Sequence, residues 1–235
     1  MKCLVMMTQY KRNNLKAQLE SIYNQTLIPD FVVVFQNENH VNIDDLKEEY
    51  KFIHIKSDYN TKYFGRFAAC FTFPVDYCCI LDDDIIPGPN CIYNYIEQCI
   101  SLNSIIGGNG RIAVLNTNKS LYQPPDVGIR NDNVLIDFVG HLWCFKKEWL
   151  HFMFSIPPFT YDTGEDMHFC FSSKLLGNIN SFVCKQTDIN DCCDTSMTAL
   201  SQDNFSSFLY TPQKLRQDVE KYFVEDFDFK FIENN

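Results

Sequence analysis

Positive charge is scarce in this sequence, and paired cysteine motifs and long apolar runs are missing. Its 20 Lys and Arg residues face 30 Asp and Glu, for a net charge of −10. Nucleic-acid backbones are bound by clustered Lys and Arg, and no such cluster occurs, which excludes a general nucleic-acid binder. No apolar stretch approaches the roughly 20 residues of a membrane-spanning helix. The opening MKCLVMMTQYKRNN has one basic residue, Lys2, before a short apolar run and no small-residue cleavage site. It reads as a first strand rather than a secretory signal. No CxxC pair is present, so a zinc module lacks its usual ligand spacing. The 11 cysteines are odd in number, and Cys3, Cys70, Cys78, Cys79 and Cys144 lie inside apolar runs. They read as buried thiols of a reducing compartment. The expectation is a cytoplasmic protein without a membrane span.

What the chain does have is 46% hydrophobic residues over 235 positions, enough for the core of one large domain. Strands are expected at Lys2 to Thr8, Phe31 to Phe35, Phe52 to Lys56 and Tyr77 to Leu81, which are short and apolar. Between them, Leu15, Leu19, Ile22 and Tyr23 recur at helical spacing behind an Asn13 or Asn14 cap. A second helix runs from about Ile43, capped by Asn42, to Tyr50, and a third spans Phe64 to Phe73. This alternation predicts an α/β fold whose parallel sheet has helices on both faces. Ligands of such sheets bind at the carboxyl ends of the strands. The polar segments Thr8 to Arg12, Gln36 to Asn39, Ser57 to Thr61 and Asp82 to Asp84 should therefore converge on one crevice.

The fourth strand delivers CCILDDDIIPGPN, residues Cys78 to Asn90. At an effective dielectric of about 20, two like charges 4 Å apart cost roughly 4 kcal/mol, so three adjacent aspartates ask for a cation. Mg²⁺ is commonly held by one or two carboxylates plus the phosphates of a substrate. Taken alone, the triplet reads equally well as an acidic turn before the helix that Pro87 to Asn90 begins.

The second half is less regular. Ile105 to Leu115, with Gly107, Gly108 and Gly110, reads as a strand with close backbone approach. Leu121 to Asn133 reads as a mobile surface loop. Val134 to Val139 and Leu142 to Phe145 read as strands around Gly140-His141. Gly164-Glu165-Asp166 opens a helix with Met167, Phe171 and Leu175 on one face and Gly177 at its end. By itself this is a helix start with acids in its first turn, where the dipole favours ionised carboxylates. From about Gln202 a tail with a helix near Pro212 to Phe223 packs on the domain or meets a partner.

The order of these motifs resembles the nucleotide-sugar glycosyltransferases of the GT-A fold, of the family-2 type. Thr8-Gln9-Tyr10-Lys11-Arg12, then Leu15, Leu19, Ser21-Ile22 and Gln25-Thr26, is similar to that family's opening, and Pro29 and Val32-Val33-Val34 continue it. Asp82-Asp83-Asp84 is similar to its DxD motif, Gly140 to Leu150 to its glycine-aromatic acceptor segment, and Gly164-Glu165-Asp166 to its ED motif. Coverage runs from about Met1 to Gly177. The triplet followed by IIPGP is also similar to glycosyltransferase domains of large algal DNA viruses, which would place the protein in a host cytoplasm.

The resemblance implies a Rossmann-like, mixed and mainly parallel sheet flanked by helices. A domain over 1–200 would divide into a nucleotide-sugar half (1–116) and an acceptor half (117–200), followed by a C-terminal helical extension (201–235). The implied reaction is metal-dependent transfer of a hexosyl or deoxyhexosyl group from a UDP, GDP or dTDP sugar to a hydroxyl of a glycan or glycoprotein. Inversion is favoured, with Asp166 as general base and Glu165 orienting the acceptor or the base. Asp84 with Asp82 would hold Mn²⁺ or Mg²⁺, and Asp83 would contact ribose or donor sugar. Thr8, Gln9 and Tyr10 match the nucleoside contacts. Gln36 and Asn37 stand where the family usually has aspartates. Arg66 is a candidate for the diphosphate, while Gly140, His141 and Trp143 are candidates for the acceptor, although a tryptophan in a strand more often belongs to the core. His168 is left out of the site. No histidine follows it to complete a metal shell, so phosphates, water, Asp188 or Asp191 would serve.

Two rival functions remain at this stage. A sugar-phosphate nucleotidyltransferase also needs acidic metal ligands, but it usually has a glycine-rich basic loop after the first strand, which MTQYKRNN lacks. A non-catalytic nucleotide- or glycan-binding module would not need Asp82, Asp84 and Asp166 together.

Overall fold

A computed structural model describes residues 1–113, 121–122, 128–195, 203–205 and 210–232. The strands are β1 (Cys3–Gln9), β2 (Phe31–Asn37), β3 (Ile53–Ser57), β4 (Tyr77–Leu81), β5 (Ile105–Ile112), β6 (Leu121–Tyr122), β7 (Val134–Ile136), β8 (Phe138–Lys146) and β9 (Ser181–Val183). The helices are α1 (Leu15–Tyr23), α2 (Leu46–Glu49), α3 (Phe64–Cys70), α4 (Cys91–Leu102), α5 (Leu150–Ser155), α6 (Glu165–Gly177) and α7 (Gln213–Phe227). All strands join one sheet of order β3-β2-β1-β4-β8-β5-β9-β7, with β6 beside β5. The β3-β2-β1-β4 end is parallel throughout, as the alternation of apolar strands and helices requires. β8 then enters antiparallel to both β4 and β5.

The all-apolar runs of β1, β2 and β4 are buried on both faces, with Leu4 to Met7, Val33, Val34 and Cys78 to Leu81 all inaccessible. At 25 cal/mol per Å² of apolar surface, such side chains each contribute about 1.5–3 kcal/mol. All 11 cysteines are free and buried, and burial pushes the Cys3 thiol up to about 12, so these thiols serve as packing. No helix of the described residues is long and apolar enough to cross a membrane.

The expected elements of the first half appear within a few residues of their predicted ends. One expectation needs correction. Gly140-His141 does not separate two strands, because β8 runs through it. Between Trp143 and Gly140 the strand spends three residues where β5 spends two, from Gly107 to Asn109. His141 absorbs the surplus at φ 66°, a bulge that tightens the local twist. The predicted loop at Leu121 to Asn133 lies partly outside the described residues; of its described part, Leu121–Tyr122 is a strand and Arg130 bridges Gln186. The boundaries drawn at 116/117 and 200/201 also fall outside them. The C-terminal helix is present as α7, packed on α6.

Candidate active site

Parallel register brings the predicted polar segments together. Thr8 follows Met7, whose partner on β4 is Leu81, so Thr8 comes level with Asp82. Gln9 pairs with Gln36 on β2, and Asn37 with Ser57 on β3. The acidic triplet leaves the end of β4, and its backbone is held from two sides. Asp82 N donates to His141 O at 3.1 Å, which is where the β8 bulge matters. From α1, Gln18 Nε2 donates to Asp82 O at 2.7 Å and Ile85 O at 2.9 Å, and Asn14 Nδ2 donates to Asp83 O at 3.1 Å. Asn14 sits at the start of α1 but makes no side-chain cap there, because its amide is spent on the triplet.

The second acidic motif arrives from the opposite side of the crevice. Gly164 takes φ 79°, a left-handed conformation that glycine adopts without strain, and so starts α6 with Glu165 and Asp166 in its first turn. Arg66 of α3 joins the two motifs. Its Nη1 meets Asp82 Oδ1 and lies 3.2 Å from Thr8 Oγ1, while Nη2 donates to Glu165 Oε1 at 3.1 Å. The guanidinium stacks 4.7 Å above the Trp143 ring. Neighbouring Gly65 lets α3 come this close, since a Cβ there would collide with Thr61 Oγ1 and the Phe35 ring.

Arg66 is 3% exposed, and its guanidinium pairs with the carboxylates of Asp82 and Glu165. Trp143, 2% exposed beneath Arg66 and edge-on to Phe67, is core rather than a crevice wall. His141 and Gly140 remain beside the triplet through the bulge. Gln9 is buried and donates to Arg12 O at 2.7 Å. Gln36 bonds Val41 O at 2.7 Å and the His54 ring at 2.9 Å. Asn37 bonds Asn60, Lys62 O and Thr61 N within 2.9–3.1 Å. These amides build the loops of the crevice. The Tyr10 hydroxyl accepts from Asn60 at 3.2 Å, and its ring meets His40 edge-on. His168 is structural: buried, with Nε2 donating to Met153 O at 2.8 Å, and burial lowers its basicity. Asp188 caps the turn at Ile189–Asp191, and Asp191 accepts from Thr187. That turn packs on Gly88 and Asn90.

Three site residues carried no assigned role in the sequence. Arg12, just beyond β1, contacts Asp83 through Nη1, lies 3.3 Å from Asp84, and also pairs with Asp203. Arg216 of α7 bonds Asp166 Oδ2 at 2.7 Å. Arg12 stands inside the quoted opening segment, at the strand end where the polar segments converge, and that position was the available signal. Arg216 and Asp203 are 50 and 191 residues from their partners, and no local pattern marks them.

Six carboxylates, Asp82, Asp83, Asp84, Glu165, Asp166 and Asp203, thus face three guanidinium groups. The imbalance shows in their titration. Burial, then the charge of Asp82, pushes Asp84 up to about 7. Burial, then Asp166, pushes Glu165 up to about 7, and burial also raises Asp83 despite Arg12. The hard oxygen donors of this site are of the type that Mg²⁺ and Mn²⁺ take. Among the described residues no cluster of three His, Cys, Asp or Glu side chains is assembled as a ligand set, so most of a metal's shell would come from substrate and water.

Behind Asp166, α7 brings Glu220 against the sheet. Burial, opposed by Arg216, raises Glu220 to about 7, above its ordinary range of about 4.5. The folded state then holds a proton that the unfolded chain has lost, so this group's contribution falls as pH rises from about 4.5 to about 7. Glu220→Gln is expected to raise the melting temperature at pH 8 relative to wild type and to flatten its decline between pH 5 and 8. Asp84 and Glu165, raised to about 7, and Asp137, raised by burial to about 6, keep a residual slope. Thermal melts across that range check both.

The chain is a mixed, mostly parallel α/β sheet with helices on its faces and a C-terminal helix, and the solved structures it matches give it a glycosyltransferase-type fold. No family model matches the sequence, and no curated protein matches it. Among solved structures, the chain is similar to TarS of S. aureus: to the structure of residues 1–349 with UDP at TM-score 0.57 and 15% identity, over 80% of this chain and 59% of that one. With UDP-GlcNAc the TM-score is 0.57 at 13% identity, over 86% and 61%, and a further TarS structure gives 0.56 at 13%, over 79% and 37%. The chain spans about 37 to 61% of the length of these structures.

Proposed function

We propose that the protein is a glycosyltransferase that moves a sugar from a nucleoside-diphosphate sugar to a hydroxyl of an acceptor. The observation that carries this reading is the meeting of two acidic motifs, 82–84 and 165–166, in one crevice, tied together by Arg66 between Asp82 and Glu165. The bound UDP and UDP-GlcNAc of the similarly folded TarS structures support a uridine nucleotide as the first donor to try.

In this reading Asp166 takes the proton of the acceptor hydroxyl as its oxygen bonds to the anomeric carbon, and the bond from that carbon to the diphosphate oxygen breaks on the opposite face. The configuration inverts. Arg216 holds Asp166 by one oxygen at 2.7 Å, and the other oxygen, Oδ1, lies 2.8 Å from Met167 N, so the carboxylate is fixed at the mouth of α6. Glu165, buried against Arg66, orients this turn and through it the base. Thr8, Tyr10 and Asp83 line the donor side, with Gln9, Gln36 and Asn37 shaping it, while Gly140 and His141 border the acceptor side. Asp84 with Asp82 would hold Mn²⁺ or Mg²⁺, which when bound neutralises charge on the departing diphosphate.

Titration calorimetry with UDP tests the donor side. Mn²⁺ is expected to tighten UDP binding about tenfold or more, as expected for a charge-assisted contact worth 1.5–3 kcal/mol, and Asp84→Ala to abolish that gain. An Asp84→Ala variant that still needed Mn²⁺ for full affinity would remove the metal assignment. A thermal screen of UDP, GDP and dTDP sugars with Mn²⁺ should reveal the donor. A ligand at 100 times its dissociation constant adds about 2.7 kcal/mol, or about 5–10 °C for a chain of this size. Absence of both binding and sugar transfer across that panel would sink the reading.

A further inference from the structure

Arg12 serves two sets of partners on its two edges. Nη1 turns inward to Asp83 and Asp84. The Nε/Nη2 edge is filled by the Asp203 carboxylate through two parallel hydrogen bonds, Nε to Oδ2 at 2.7 Å and Nη2 to Oδ1 at 2.9 Å. This planar two-point fork is also how a guanidinium takes a phosphoryl group. Of the three carboxylates on Arg12, Asp203 is the most exposed, its side chain 34% accessible against 15% for Asp83 and 11% for Asp84. An anion entering from solvent meets this pair first. Asp203 Oδ1 also accepts from Phe205 N at 2.8 Å, a local turn bond that would keep the carboxylate satisfied after Arg12 is released.

We propose that the Nε/Nη2 edge of Arg12 is a binding site for a phosphoryl group of a diphosphate ligand, and that Asp203 occupies this edge until the diphosphate displaces it; the identification of that ligand as the donor's diphosphate rests on the glycosyl-transfer reading. A carboxylate brings one negative charge to the fork and a diphosphate brings two or more, so the exchange favours the diphosphate. Asp203 gives up a partly exposed ion pair, a kind worth about 0–1 kcal/mol, and returns to water. Its departure also removes one negative charge from a crevice already rich in them, which lowers the repulsion the incoming anion meets.

The test uses inorganic pyrophosphate and UDP as probes, by calorimetry on the full chain, with melting curves to confirm folding. Asp203→Asn is expected to tighten both ligands about two- to fivefold, the equivalent of an exposed ion pair. Arg12→Lys, which keeps the charge and loses the fork, should weaken both about tenfold or more. Unchanged or weaker binding by a folded Asp203→Asn protein would overturn the proposal, as would wild-type affinity in Arg12→Lys. Should Arg12→Lys fail to fold, Asp203→Asn decides alone. The two readings separate cleanly. Pyrophosphate binding that follows this pattern without any transfer from nucleotide sugars would keep the Arg12 site and remove the glycosyltransferase. Sugar transfer with UDP affinity indifferent to both variants would do the reverse.

Discussion

Asp166→Asn is expected to lower sugar transfer by a factor of about 10² to 10⁴, the usual contribution of a positioned general base, while UDP affinity stays within about twofold of wild type. The amide keeps the shape of the carboxylate and its contact with Met167 N, so α6 has no reason to unwind. What it loses is the ability to accept a proton from the acceptor hydroxyl, and with it the ion pair to Arg216. That pair involves side chains only 14% and 21% accessible, so its loss also lowers stability, which melting curves report separately from the loss in rate. Initial rates of transfer, with UDP binding measured on the same preparation, separate the two effects. Near-normal turnover in this variant would move the base elsewhere.

The second large effect concerns stability rather than rate. Arg66→Met is expected to cost about 3–5 kcal/mol, the range for removing one partner of a buried charge pair, and so to lower the melting temperature by about 6–20 °C. The Arg66 side chain is 4% accessible and faces Asp82, 28% accessible, and Glu165, 7% accessible. Methionine keeps contact with the Trp143 and Phe67 rings that the guanidinium covers, but leaves Glu165 buried with no counterion on that side. Glu165 is already held up to about 7 by burial and by Asp166, so in the variant it responds by retaining its proton. The loss should therefore be larger at pH 8 than at pH 5. Chemical denaturation at the two pH values measures it, and a cost below about 1 kcal/mol at both would show that Arg66 is not what joins the motifs.

Much of the nucleotide side of the fold was legible because its signals are local. Short apolar strands broken by Pro29 and by polar turns, and helical spacing at Leu15, Leu19 and Ile22, set an alternation whose parallel register brings Thr8 level with Asp82. The same logic put the acidic triplet beside those polar segments, whereas Gly164-Glu165-Asp166 joined it only through the family resemblance. The counterions were not legible. Arg66 was singled out, but its partners Asp82 and Glu165 lie 16 and 99 residues away, so its burial between them could not be read from spacing. Arg216 reaches Asp166 only because α7 folds back onto α6. Trp143, a candidate sugar platform that its strand position read more readily as core, does lie in the core because β8 inserts between β4 and β5. The bulge at His141 escaped for a related reason, since it exists only as a mismatch of register between β8 and β5.

That insertion of β8 also bears on how the chain is divided. β4 and β5 both precede the boundary drawn at 116, and β8 follows it, yet β8 pairs with β4 over Leu142–Lys146 and with β5 over Phe138–Cys144. The strands before and after that boundary are therefore interleaved in one sheet rather than carried by separable modules. A recombination that exchanged the second half for another would strip β4 and β5 of a shared neighbour and expose two strand edges in the middle of the molecule. Under the glycosyl-transfer proposal, acceptor preference would have to change through loops and single side chains, because the halves cannot be traded as blocks.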